Sequence, residues 1–231
     1  MQFLASRNWR RWPDFPPAAL ADRAANLHLR VQVWERESPA AVAVTFGGTL
    51  FYNWRDWQAN LRWFIPTHED QYTEIVERVG PAVVEELGRR GNGSRRQATI
   101  YSTGHSLGGG LAQQFAYALP LAAARTVTAA YVFDPSPVTG FHSVAEEIRD
   151  RNRTGLKIHR IYERGEILAA LRLGIGLFYP PSRTAPEITN IRYDLVDRNN
   201  PLAGHSITDL ACGLYRIARL PGAGSAPSSS D

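Results

Sequence analysis

The sequence predicts an α/β fold: a mostly parallel central sheet with flanking helices. Three observations point there. Short apolar runs alternate along the chain with segments whose apolar residues recur every three or four positions. One such run passes directly into a glycine-rich stretch and then a helical pattern, YSTGHSLGGGLAQQFA at 101–116. With 231 residues, 44% of them hydrophobic and 21% charged, the chain has material for one domain with an ample core.

The elements follow in order. Residues 1–26, rich in Pro, Trp and Arg, read as an N-terminal arm packed on the body. Residues 27–219 read as the single α/β domain. In it Leu29, Val31 and Val33 alternate with polar residues, as in a half-buried strand. AVAVTF at 41–46 is apolar throughout, as a strand covered on both faces would be. Tyr72, Ile75, Val76, Val79, Val83 and Leu87 share one helical face, with a kink expected at Gly80-Pro81 and a stop at Gly91. A strand at 97–103 leads into the glycine motif, after which Leu107, Leu111, Phe115 and Ala118 predict a helix. Further strands are expected at 128–133, 157–162 and 188–196, and short helices at 143–151 and 206–219. The tail 220–231, PGAGSAPSSSD after its leucine, reads as a disordered segment.

Composition narrows the function classes. No run approaches the ~18 apolar residues of a membrane span. The N-terminus lacks the apolar stretch of a signal peptide, so the expectation is a cytoplasmic protein or one exported without such a signal. A single cysteine, Cys212, excludes an internal disulfide and any multi-thiolate metal site, and its neighbours Leu210, Ala211 and Leu214 suggest a buried small residue. The net charge of +4 rests almost wholly on arginine, with Lys157 the only lysine. These arginines are scattered and form no basic helix, which argues against nucleic-acid binding and is compatible with transient contact with an anionic membrane surface.

Gly104-His105-Ser106-Leu107-Gly108 fits G-x-S-x-G between a strand and a helix. In such an elbow the serine sits on a strained turn at the top of the sheet, and its neighbours must be small. Ser106 is therefore a candidate nucleophile; the competing reading is a glycine-rich turn that binds a phosphate or nothing. The Leu107 N–H, at the positive end of the following helix, would supply one oxyanion donor. The second is expected from the loop after AVAVTF, Gly47-Gly48-Thr49, through the backbone of Thr49. Phe51, Tyr52, Trp54 and Trp57 follow at once, with Leu61, Trp63 and Phe64 beyond. They read either as core or, better, as a substrate-facing wall or mobile lid.

TFGGTLFYNWRDWQANL together with TGHSLGGGLA resembles the class 3 (fungal-type) lipase family of the α/β-hydrolase superfamily. That family carries an F-R-G-[ST] oxyanion loop, a lid with D-W or N-W and N-L, and G-H-S-L-G-[GA]-A-L-A. The resemblance covers residues 41–119. Gly47 departs from it by replacing the usual arginine, so whatever that side chain holds must be held differently.

A serine needs a base and an acid, and in α/β-hydrolases these follow it in the order acid, histidine. His28 and His68 precede Ser106, His105 lies in the elbow, and His159 lies within the strand pattern KIHRIY. His205, on a loop before the last helix, is preferred over His142, and the family's base occupies the same kind of position. For the acid, the resemblance aligns Glu166 in KIHRIYERGEILAAL. Glu163, nearer the strand end, reads as a surface or packing residue. The rival acid is Asp134 in YVFDPSP, where some α/β-hydrolases place theirs.

The resemblance thus implies a serine hydrolase that cleaves carboxylic esters of lipids, as lipase, phospholipase or esterase, with no metal or organic cofactor. Two other enzyme readings remain: a carboxylesterase or thioesterase for soluble substrates, and an antibacterial phospholipase effector. A catalytically inactive binding module is the alternative outside enzymes. The expected partner is a lipid or other acyl-ester substrate; no oligomeric state is read from the sequence.

Overall fold

Side chains that alternate between core and surface build a seven-stranded sheet whose strands lie side by side in chain order. The computed structural model describes residues 2–48, 71–90, 98–123, 125–136, 139–163, 185–195 and 206–219. Strands β1 (Arg10–Arg11), β2 (Arg30–Arg36) and β3 (Ala41–Gly47) pair antiparallel. From β3 onward β4 (Thr99–His105), β5 (Ala129–Phe133), β6 (Lys157–Glu163) and β7 (Glu187–Tyr193) run parallel. The described helices are α1 (Gln2–Ser6), α2 (Ala18–Asn26), α3 (Gln71–Glu74), α4 (Gly80–Arg90), α5 (Leu107–Ala118), α6 (Glu146–Arg153) and α7 (Ile207–Ile217).

Six of the seven strands coincide with the apolar runs of the sequence. β1 does not, because two arginines carry no period. What the sheet gains there lies beside them: Trp12 and Phe15 are buried, and the Trp12 N–H donates to the Val33 carbonyl at 2.9 Å. Residues 10–26 thereby join both the sheet and the core, to which α2 adds Leu20 and Ala24.

The core lies on one face of the sheet. Val31 and Val33 of β2, Val42, Val44 and Phe46 of β3, Ile100, Val132 and Ile158 meet Leu111 and Phe115 of α5 and Ile75, Val79 and Val83. β3 was expected to be covered on both sides. Its alternate residues Ala43 and Thr45 are only half-buried, so its apolar run serves one face more than the other. On that second face Tyr131, 40% exposed, stacks on His159 at 4.9 Å and leans on Tyr101 at 6.0 Å.

The expected kink at Gly80-Pro81 takes a definite form. Between α3 and α4 the helix widens into a π-type turn, Ile75–Val79, closed by the Gly80 N–H on the Ile75 carbonyl. Pro81 has no N–H to continue the regular ladder, and a widened turn just before it is one way a helix absorbs that loss. Glu74, 2% exposed, is held there by Arg23 of α2 at 2.7 Å, which ties the two helices together. At the other end of the core Asn152 of α6 donates to the carbonyls of Tyr117 and Leu119 at 2.8 and 2.7 Å, satisfying groups that the end of α5 leaves over.

Cys212 is exposed, against the expectation of burial. The buried side of α7 is defined by Leu210 and Gly213, and residue 212 falls about 200° round the helix from 210. Gly91 and the tail 220–231 lie outside the described residues. Among the described residues no helix is long and apolar enough to cross a membrane.

Candidate active site

Ser106 stands between the last residue of β4 and the first of α5, with φ 56° and ψ −125°. An L-residue occupies that region only when its surroundings impose it, at a cost of about 1–3 kcal/mol. The impositions are visible. The Ser106 N–H donates to the Phe133 carbonyl at 3.0 Å, and its own carbonyl accepts from Gly109, Gly110 and Ser136 at 2.9, 3.3 and 2.8 Å. Ser102, fully buried, pins β4 to α5 by donating to the Ala112 carbonyl at 2.9 Å.

Glycine is required on both sides of the turn by close approach. A Cβ on Gly104 would lie 2.1 Å from the Gly108 carbonyl oxygen, and one on Gly108 would lie 2.3 Å from that of Phe46. The G-x-S-x-G spacing is thus a packing requirement here. The loop after β3 touches the same place, since a Cβ on Gly48 would lie 2.7 Å from the His105 carbonyl oxygen and 3.4 Å from Ser106 Cβ.

Ser106 is also the N-cap of α5, yet its side chain makes no cap bond. A serine placed for helix stability would accept from an N–H of the first turn. The hydroxyl of Ser106, only 5% exposed with its residue, is not spent on the helix. Leu107 opens α5, so its N–H belongs to the set that no intrahelical carbonyl can reach.

Two buried carboxylates lie at the ends of the neighbouring strands. Asp134 follows β5, has φ 39° and is fully buried. Its N–H donates to the Ile161 carbonyl at 2.8 Å, and its Oδ1 accepts from the Glu163 N–H at 2.9 Å. It sits in sequence between Phe133 and Ser136, both bonded to the Ser106 backbone. Glu163 ends β6, is 2% exposed and accepts the Leu195 N–H at 2.8 Å through Oε1. It is therefore not a surface residue; it binds β6 to the segment that leads toward residue 205. Position at the C-terminal end of a parallel strand was the available signal for it.

Of the histidines, His159 lies in β6 against Tyr131, and burial lowers its pKa from the usual value. His142 is exposed in a short 3-10 turn, its ring edge-on to Phe141 at 5.2 Å. His205, Glu166, Thr49 and the aromatic residues Phe51, Tyr52, Trp54 and Trp57 lie outside the described residues. Among the described residues no group of three or more His, Cys, Asp or Glu side chains could hold a metal ion.

Solved structures similar to this chain include lipases and an esterase. The native Rhizomucor miehei lipase propeptide complex matches with 16% identity and a TM-score of 0.49, over 77% of this chain and 56% of that one. A fungal lipase–inhibitor complex matches with 19% identity and a TM-score of 0.47, over 66% and 58%. Esterase B from Lactobacillus rhamnosis matches with 11% identity and a TM-score of 0.37, over 74% and 73%. The chain spans less than two thirds of the length of both lipases. No protein-family model matches the sequence, and no curated protein matches it.

Proposed function

We propose that the chain is a serine hydrolase that cleaves carboxylic ester bonds of lipids through an acyl-enzyme. The observation that carries this reading is Ser106 itself: a buried serine on a strained elbow, its hydroxyl withheld from the helix it caps, with a second loop packed against it. Strain at such a point is retained when surrounding contacts over-determine it, and it holds the side chain at a fixed angle.

In the proposed reaction Ser106 Oγ attacks the ester carbonyl carbon while His205 takes its proton. The carbonyl oxygen becomes an oxyanion, held by the N–H groups of Thr49 and Leu107. The C–O bond to the alcohol then breaks, and the imidazolium returns its proton to that leaving oxygen. Water, deprotonated by His205, attacks the acyl-enzyme and releases the acid and Ser106. A carboxylate orients His205, and Glu166 and Asp134 are the two candidates. Support for Asp134 comes from its place at the end of β5, between Phe133 and Ser136 that both bond the Ser106 backbone, and from the Glu163 N–H that fixes one of its oxygens.

The test is labelling by a fluorophosphonate probe in the full chain. Wild type should label at Ser106, and Ser106→Ala and His205→Ala should lose both labelling and ester hydrolysis. Comparing Glu166→Ala with Asp134→Ala identifies the acid, which should lower kcat by about 10⁴-fold. Full hydrolysis by Ser106→Ala would overturn the reading. A panel of p-nitrophenyl esters of rising acyl length, with a phospholipid vesicle, separates lipase, phospholipase and soluble-substrate esterase.

A further inference from the structure

The first turn of α5 carries three glycines in succession, Gly108, Gly109 and Gly110, the residue that holds a helix least well apart from proline. Close packing accounts for two of them. Gly108 lies against the Phe46 carbonyl, and a Cβ on Gly109 would lie 2.8 Å from that of Pro135. Other side chains brace the turn. Gln113, fully buried one turn further along α5, donates through Nε2 to the Gly109 carbonyl at 3.2 Å. Its Oε1 accepts from Nε of the half-buried Arg160 of β6 at 2.9 Å. A guanidinium can only donate, so the Gln113 amide has one orientation, oxygen toward β6 and nitrogen toward the glycines.

We infer that Arg160 is a positioning residue for the oxyanion donor, acting on the Leu107 N–H through a chain of hydrogen-bonded amides. This rests on the proposed serine hydrolase reading. Each link shares a peptide group with the next. The Gly109 carbonyl that Gln113 binds belongs to the same peptide as the Gly110 N–H, which donates to the Ser106 carbonyl at 3.3 Å. The Ser106 carbonyl in turn belongs to the same peptide as the Leu107 N–H. A planar trans peptide points its N–H away from its C=O. With the Ser106 carbonyl held along α5, the Leu107 N–H faces out of the helix end. Gly109 and Ser136 hold the same carbonyl at 2.9 and 2.8 Å and add to its direction. The Gly110 link is the one that leads back to a charge. An arginine stays protonated, and a cation at the head of such a chain polarises each amide behind it in the same sense. The chain ends on the N–H that an oxyanion would meet.

Arg160 does not touch the reacting atoms, so its signature is a loss in turnover without a loss in substrate binding. In the full chain Arg160→Ala should lower kcat on a soluble p-nitrophenyl ester by about 3–10-fold, well short of losing a donor outright, with KM within about two-fold. Affinity for a trifluoromethyl ketone, whose serine adduct carries an oxyanion, should fall by the same factor. Arg160→Lys keeps the charge and one donor and should recover part of kcat. Arg192→Ala removes the same charge from an exposed position of β7 and should leave kcat unchanged.

Gln113→Leu cuts the chain in its middle. It should match the Arg160→Ala loss and add nothing in the Arg160→Ala background, because both act through one path. If Gln113→Leu fails to fold, Arg160→Ala and Arg160→Lys decide the matter alone. Additive losses, a change confined to KM, or a lowered melting temperature with kcat intact would overturn the inference, while fluorophosphonate labelling of Ser106 kept the hydrolase reading. A wild-type chain that the fluorophosphonate does not label removes both.

Discussion

Among the described residues two serines cap helices, and they are built in opposite ways. Ser206 precedes α7 with φ −76° and ψ 114°, and its hydroxyl accepts the Asp209 N–H at 3.3 Å. Ser106 precedes α5 with φ 56° and ψ −125°, and its hydroxyl accepts nothing from the helix. The first serine spends its side chain on stability. The second sits in a backbone conformation that costs stability, and hydrogen bonds with Phe133 of β5, Gly109 and Gly110 of α5, and Ser136 beyond β5 keep it there. Residue type and position relative to a helix do not separate a structural serine from a candidate nucleophile; backbone geometry does.

The contrast can be broken most severely at Gly108. Gly108→Ala drives a Cβ into the Phe46 carbonyl with backbone on both sides, so neither partner can yield cheaply. Destabilisation of about 3 kcal/mol or more is expected in urea unfolding, with loss of fluorophosphonate labelling. A fully stable Gly108→Ala protein would mean the elbow is looser than described.

A smaller change with the opposite sign sharpens it. Ser106→Gly removes the strain of a side chain at positive φ and forfeits no cap bond, so it should raise stability by about 1–2 kcal/mol. The melting temperature should rise by about 2–8 °C for a chain of this size, with labelling abolished. A Ser106→Gly protein that melts lower than wild type would show that the hydroxyl does structural work. The smallest effect belongs to the ordinary cap. Ser206→Ala should cost about 1 kcal/mol by thermal melting, the usual loss for an N-cap hydroxyl. No loss at all would remove Ser206 as the reference for the comparison.

Much of the fold was legible in the sequence because its signals are local. Val31 and Val33 announce β2 by alternation, and Leu107, Leu111 and Phe115 announce α5 by helical spacing. G-x-S-x-G reads as an elbow because glycine is the residue that close backbone approach leaves possible. β1 was not legible, since a two-residue strand has no period and is defined only by pairing with β2. Cys212 was misread because its apolar neighbours say nothing about which side of α7 meets the core.

The candidate site divides along the same line. The sequence by itself determined that a serine stands at a strand-to-helix turn between glycines, after an apolar strand ending in Gly47-Gly48. It could not say that Asp134 and Glu163 are both buried and joined through the Glu163 N–H, nor that Arg30 fills the space over Gly47 and holds the Gly48 carbonyl. Those relations join residues 29 and 17 or 18 positions apart. Only the pairing of neighbouring strands brings them together, and register is decided by the whole sheet at once.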